Sequence, residues 1–123
     1  MKLSSVVDVL AARVLNTVDL SIEEINYAFS VDLMSDAFVS LKDAPDAFFQ
    51  QGVLVTGNAT MQSIRTAELL DFPVVLFTRN KIPTETVLEY ATTKKIMVLS
   101  TKHALFTTSG LLYKNNVLGY SDL

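Results

Sequence analysis

Three short, continuously apolar runs dominate the chain: Val53-Leu54-Val55, Val74-Val75-Leu76-Phe77 and Ile96-Met97-Val98-Leu99. Runs that are β-branched and apolar on both faces suit strands covered by a layer on each side, as in a parallel sheet. The segment Ile25 to Ser30 differs, because Ile25, Tyr27 and Phe29 alternate with Asn26, Ala28 and Ser30. Alternation predicts a strand nearer the edge.

Helical periodicity fills the intervals. After Asp32, read as an N-cap, Leu33, Met34, Ala37, Phe38 and Leu41 share one helical face. Thr60 is placed to cap a helix with Met61, Ile64, Ala67 and Leu70 inward, and Pro83-Thr84 open another that buries Val87, Leu88 and Ala91 and ends at Lys94-Lys95. Thr101 is read as the cap of the last helix, whose stripe is Leu105, Phe106, Ser109, Leu112 and Tyr113, with Gly110 a point where it bends or stops. A shorter helix over Ser5 to Ala12 opens the chain. The alternation of strand and helix demands crossover connections, so the expected fold is α/β. It is a small three-layer domain, residues 1–123, with a mainly parallel sheet of four to five strands flanked by helices.

Composition narrows the chemistry. The chain has no Cys and one His, which removes thiol nucleophiles, Cys zinc sites and any zinc site needing several imidazoles. Ten Lys and Arg against thirteen Asp and Glu give a net charge of −3, a poor match to a phosphate backbone, so no nucleic acid is expected. The longest apolar runs fall far short of the roughly 18–20 residues of a spanning helix, and no secretory pattern opens the chain. A cytoplasmic protein with no membrane association, no metal and no cofactor is the expectation.

In an open parallel sheet ligands gather beyond the carboxyl ends of the strands. Here those ends read Thr56-Gly57-Asn58, Thr78-Arg79-Asn80, Ser100-Thr101-Lys102-His103 and Ser30-Val31-Asp32. Two readings stand side by side. Hydroxyls and amides at such junctions serve as helix caps and turns; converging on one edge, they also form a polar rim for an anionic or nucleotide-like molecule. The candidate lining is Ser30, Asp32, Asp36, Thr56, Gly57, Asn58, Thr78, Thr101 and Lys102. An anion there would be held by turn N–H groups, by Lys102 and by Arg79. Neither Gly-x-x-x-x-Gly-Lys-Ser/Thr nor Gly-x-Gly-x-x-Gly occurs. A rival enzyme reading, a phosphoryl- or acyl-transfer accessory, needs Asp32, Asp36 and His103 within hydrogen-bond reach. The apolar tail from Leu111 to Leu123 covers either its own sheet or a second subunit, which raises a homodimer and, as a third reading, a purely structural dimerisation module.

The order of segments resembles the DRTGG domain family. The likeness runs through Leu3-Ser-Ser-Val-Val-Asp-Val-Leu, Ala28-Phe-Ser-Val-Asp-Leu-Met-Ser-Asp36, Val53-Leu-Val-Thr-Gly57, Arg65-Thr-Ala-Glu, Pro73-Val-Val-Leu-Phe77 and Leu99-Ser-Thr-Lys102. At the signature turn this chain has Gly57-Asn58-Ala59-Thr60, without the Asp-Arg pair that names the family. The resemblance implies a fold similar to the N-terminal domain of HPr kinase/phosphorylase and a non-catalytic regulatory or associative role. It further implies partners among redox or hydrogenase-associated proteins, and an adenine nucleotide or phosphorylated metabolite as ligand.

Overall fold

A computed structural model describes residues 1–123. In chain order the elements are α1 (Leu3–Val9), β1 (Arg13–Val14), β2 (Tyr27–Ser30), α2 (Met34–Ser40), α3 (Asp46–Gln50), β3 (Gly52–Thr56), α4 (Met61–Leu70), β4 (Val74–Phe77), α5 (Glu85–Thr93), β5 (Met97–Ser100) and α6 (Leu105–Lys114), followed by a 3-10 turn over Tyr120–Asp122. One five-stranded sheet has the order β1-β5-β4-β3-β2, with β2 to β5 parallel and β1 antiparallel to β5.

The three apolar runs became the three central strands, and every residue of β3 and β4 is buried. Their side chains point alternately to two cores. Leu54, Val75, Phe77 and Val98 meet α2 to α5 through Met34, Phe48, Ile64, Ala67, Val87 and Ala91. Val53, Val55, Val74, Leu76 and Leu99 meet α1 and α6 through Val6, Leu10 and Leu112. The result is a three-layer α/β domain in which every crossover between parallel strands runs over the same face.

Two caps are as the sequence suggests: the Ser63 N–H donates to Thr60 Oγ1 at 3.4 Å and the Val87 N–H to Thr84 Oγ1 at 3.4 Å. Two are not. The N-cap of α2 is Leu33 with no side-chain bond, and that of α6 is Ala104, likewise without one. Asp32 and Thr101 are drawn instead to partners far along the chain. The expected α6 stripe is also corrected, because Phe106 is 89% exposed and Tyr113 59% exposed while Thr108 and Leu112 face inward. Gly110 does not stop the helix, a Cβ added there would meet nothing within 4 Å, and α6 runs on to Lys114.

The tail covers its own sheet. Leu118 pairs with the outer edge of β2, taking the Ala28 N–H at 2.9 Å and donating to the Asn26 carbonyl at 2.9 Å. Tyr120 then packs on Phe48, and the Tyr113 hydroxyl donates to Asp122 at 2.9 Å. That bond, the neighbouring negative charge and slight desolvation raise the Tyr113 pKa above its ordinary 10.0. The folded chain thus holds the phenol proton more tightly than the unfolded one. The contact contributes fully below the unfolded value near 10 and is lost as pH rises through the higher folded value. Tyrosinate absorbance should show one of the four tyrosines titrating late. Asp122→Asn should bring that step down and Tyr113→Phe should remove it; a late step that survives Tyr113→Phe would belong to another ring.

Candidate functional site

At the carboxyl end of the sheet, the loops after β2, β3 and β4 converge on Gly57. A Cβ added there would lie 3.2 Å from Arg79 Nη2, 3.4 Å from Asp32 Oδ1 and 3.4 Å from Thr78 Oγ1. A Cβ would thus be in ordinary contact with the carboxylate and the hydroxyl and slightly tight against the flexible end of Arg79, so the three groups crowd one point of backbone. Asp32 reaches across from the end of β2 to accept the Gly57 N–H at 3.0 Å and the Thr56 hydroxyl at 3.5 Å. Asn58 returns the connection, its side-chain amide donating to the Asp32 carbonyl. Thr56 Oγ1 also accepts the Asn58 N–H at 3.1 Å, and Ser63 Oγ donates to the Asn58 carbonyl at 2.6 Å, which fixes the turn to α4.

Thr78 stands apart. It is 1% exposed, and its hydroxyl is the one buried side-chain polar atom without a hydrogen-bond partner in the protein. Buried hydroxyls are nearly always bonded, because desolvating one without a partner costs about 1–3 kcal/mol. This hydroxyl lies against the Gly57 turn.

The next loop is strained. Arg79 and Asn80 both have left-handed backbone, φ 55° and 56°, and their N–H groups are bound by the His103 carbonyl at 2.9 Å and the Thr101 carbonyl at 2.8 Å. The loops after β4 and β5 are thereby joined, and the Arg79 side chain is exposed beside Gly57. Lys102 is exposed on the β5 loop, and the protein's one ion pair lies elsewhere, between Lys94 and Glu68 at 3.8 Å.

The structure therefore divides the residues singled out by sequence. Asp32, Thr56, Gly57, Asn58 and Thr78 come together, with Arg79 beside them. Thr101 is buried, and its hydroxyl donates to the Leu10 carbonyl at 2.7 Å, anchoring the end of α1 to the sheet. Ser30 bonds Ser109 on α6 at 2.6 Å and belongs to the cleft along the β2 edge. Asp36 is exposed in the first turn of α2. No hydrogen bond joins Asp32, Asp36 and His103, so the geometry gives no support to the acid/base constellation on which the enzyme reading rested. No group of three or more metal-ligating side chains is clustered, and no helix is long and apolar enough to cross a membrane.

Two features of the edge bear on how an anion could be held. The turn N–H groups at Gly57, Asn58, Arg79 and Asn80 are already bound within the protein, the first by a carboxylate. Those four groups are not open to an anion, and the side-chain donors nearest the turn are Arg79 and Thr78. The edge is also shallow: strand order runs β2 to β5 without reversal, so the crevice that a reversal opens in doubly wound sheets does not form. The surface clefts, of which the one along β2 is about 420 Å³, are lined by none of Asp32, Thr56, Gly57, Asn58, Thr78, Thr101 or Lys102.

A singly wound three-layer α/β domain with a polar, uncleft carboxyl edge is the class that fold and geometry define. No family model and no curated protein matches the chain. Among solved structures it is similar to the CBS and DRTGG domains of the regulatory region of Clostridium perfringens pyrophosphatase, a structure complexed with the activator diadenosine tetraphosphate. The TM-score is 0.64 at 19% identity, over 90% of this chain and 45% of that one. The chain thus spans less than half of the matched structure. At this identity the likeness is one of fold, and it agrees with the fold that the DRTGG resemblance implies.

Proposed function

We propose that this chain is a non-catalytic regulatory domain that engages a small anionic, nucleotide-like ligand, or a partner protein presenting such a group, at the Gly57 edge of its sheet. The observation that carries this reading is the buried, unpartnered Thr78 hydroxyl set beside the Arg79 guanidinium and the Asp32 carboxylate around a residue with no side chain. Arg79 supplies planar, forked donors for a phosphate. Thr78 supplies a hydroxyl whose desolvation is already complete. Asp32 fixes the turn by holding the Gly57 N–H and the Thr56 hydroxyl. The fold's likeness to a regulatory region that binds a nucleotide activator supports the same reading.

The test is calorimetry with diadenosine tetraphosphate, the adenosine mono-, di- and triphosphates and a set of phosphorylated metabolites. One of them should bind, and Arg79→Ala and Thr78→Val should each weaken it by about tenfold or more, which corresponds to about 1.4 kcal/mol. Binding by none would remove the small-ligand half of the proposal. Binding that ignores both substitutions would place the ligand elsewhere on the domain.

A further inference from the structure

The sheet has two outer edges, and the fold treats them differently. β1 is only two residues long and carries the exposed Arg13, features that discourage another strand from pairing. β2 contains no Lys, Arg or Pro, and one residue of the tail guards it. Leu118 lies along β2 in the parallel sense, accepting the Ala28 N–H and donating to the Asn26 carbonyl, each at 2.9 Å. There the tail leaves the edge: the Gly119 N–H donates to Asp122 at 2.8 Å, and Tyr120–Asp122 close into the 3-10 turn.

The next step of the same ladder is left open. Along a parallel strand the main-chain groups of successive residues point to opposite sides. Tyr27 to Ser30 pair with Gly52 to Val55, and the Val31 N–H donates to the Val55 carbonyl at 2.9 Å, so Phe29 and Val31 face β3 while Ala28 and Ser30 face outward. Leu118 takes the Ala28 N–H, but no loop, tail or side chain bonds the Ala28 carbonyl or the Ser30 N–H. Both border the cleft of about 420 Å³, whose lining joins Ala28, Phe29 and Ser30 to Ser40 at the end of α2, to α6 and to the tail. The Ser109 hydroxyl donates to the Leu105 carbonyl at 2.8 Å, which makes Ser30 the donor in their 2.6 Å contact. The Ser30 side chain is therefore tied to α6 while its backbone N–H stays open.

We infer that this cleft receives an extended segment of a partner protein, added to β2 as a strand at the point where the tail turns away. The tail itself shows that the edge takes strand geometry, because Leu118 makes with Asn26 and Ala28 the pair of bonds that an incoming residue would make with Ala28 and Ser30. The lining sets the chemistry of the segment. It consists of hydroxyls and apolar groups with no charged side chain, so what enters carries neutral side chains and makes its polar contacts through main-chain amides, as in strand addition generally. An ionic ligand of the kind read at the Gly57 edge finds no counter-charge here. The two sites are separate, and either reading can fail alone.

Backbone amide exchange on the whole chain tests the open edge first: the Ser30 N–H should exchange about tenfold or more faster than those of Ala28 and Phe29. A display library of random peptides, about seven residues long, panned on the whole chain then supplies the probe. Recovered peptides should share a run of about three or four uncharged residues, bind with a dissociation constant on the order of 10–100 µM and slow the Ser30 exchange. Ser30→Pro deletes the outward N–H and spares the β3 ladder, since proline is tolerated where the N–H faces away from the sheet, and it should weaken binding by about tenfold or more. Ser30→Ala keeps the N–H and loses only the hydroxyl, and should bind within about threefold of the parent. Should Ser30→Pro fail to fold, the exchange of the Ser30 amide in the parent chain, with and without peptide, decides alone. Recovery of no peptide, a bound peptide that leaves Ser30 exchange unchanged, or equal losses in the two variants would overturn the inference. So would Ser30 protection that rises with protein concentration in the absence of peptide, which would assign the edge to a second copy of this chain.

Discussion

Replacing Phe48 by alanine is expected to remove about 3–5 kcal/mol of stability, the range for deleting a buried phenyl ring. Phe48 is fully buried on α3. Its ring lies 5.5 Å from Tyr27, 5.7 Å from Phe49, 6.2 Å from Phe72 and 5.9 Å from Tyr120, centroid to centroid. One side chain thus joins α3, the edge strand β2, the segment entering β4 and the C-terminal tail. A domain of this size has about 5–15 kcal/mol in total, so the loss is a large fraction of what holds it folded. Urea titration should show a lower midpoint at nearly unchanged slope. Near-ultraviolet dichroism should change as Tyr120 loses its neighbour, even where helix content persists. Phe48→Leu should cost much less, about 1–1.5 kcal/mol, because most of the volume is kept. A loss below about 1 kcal/mol for the alanine variant would mean that the cluster closes around the gap.

Phe48 also shows why part of the fold was hidden in the sequence. It sits on a five-residue helix that follows Pro45, too short to display a helical period, and nothing in its local sequence distinguishes it from a loop aromatic. β1 was hidden for a related reason. Arg13 and Val14 are both exposed, and the pairing is continued by a side chain, with Asn16 Nδ2 donating to the Ile96 carbonyl at 2.9 Å and Asn16 Oδ1 accepting the Val98 N–H at 2.8 Å. An amide that imitates a strand leaves no trace in hydropathy. The central strands were legible because burial on both faces requires an unbroken apolar run, and the caps Thr60 and Thr84 because their bonds are local. Asp32 and Thr101 misled for the converse reason. Each stands a few residues before a helix, where a cap belongs, yet each bonds a group far away in sequence, Gly57 for one and Leu10 for the other.

The same distinction governs the candidate site. Sequence places a hydroxyl, amide or charge at every strand end, but it does not say which groups are already satisfied. Asp32 consumes the Gly57 donor, Thr56 the Asn58 donor and the β5 loop those of Arg79 and Asn80, so that these four N–H groups are not open to a ligand. What remains distinctive is Thr78, and only its surroundings reveal it, because a threonine after a buried strand is unremarkable until its hydroxyl is found without a partner.

Gly52→Ala is the second large effect, expected to lower stability by about 3 kcal/mol or more. Gly52 begins β3, beside Tyr27 in the parallel ladder, and its backbone is not left-handed, so conformational freedom is not what selects glycine there. Proximity is. A Cβ would run into the backbone carbonyl oxygen of Phe48 and would lie 2.9 Å and 3.1 Å from two atoms of the Phe72 ring. The ring has no room to turn, packed as it is against Phe48 and Phe49, and the carbonyl belongs to α3 itself. Relief would require α3 to move off the sheet. Overpacking commonly costs about 1–3 kcal/mol, with more where backbone must shift, and the gain from a less flexible unfolded chain, about 0.4–1 kcal/mol, offsets little of it. Gly110→Ala is the matched control: an added Cβ meets nothing within 4 Å, the position is interior to α6, and the variant should gain about 0.5–1 kcal/mol. Thermal melts of the two variants should therefore move in opposite directions. If Gly52→Ala melted with the parent, the close approach of α3 to β3 would not be what requires glycine at that position.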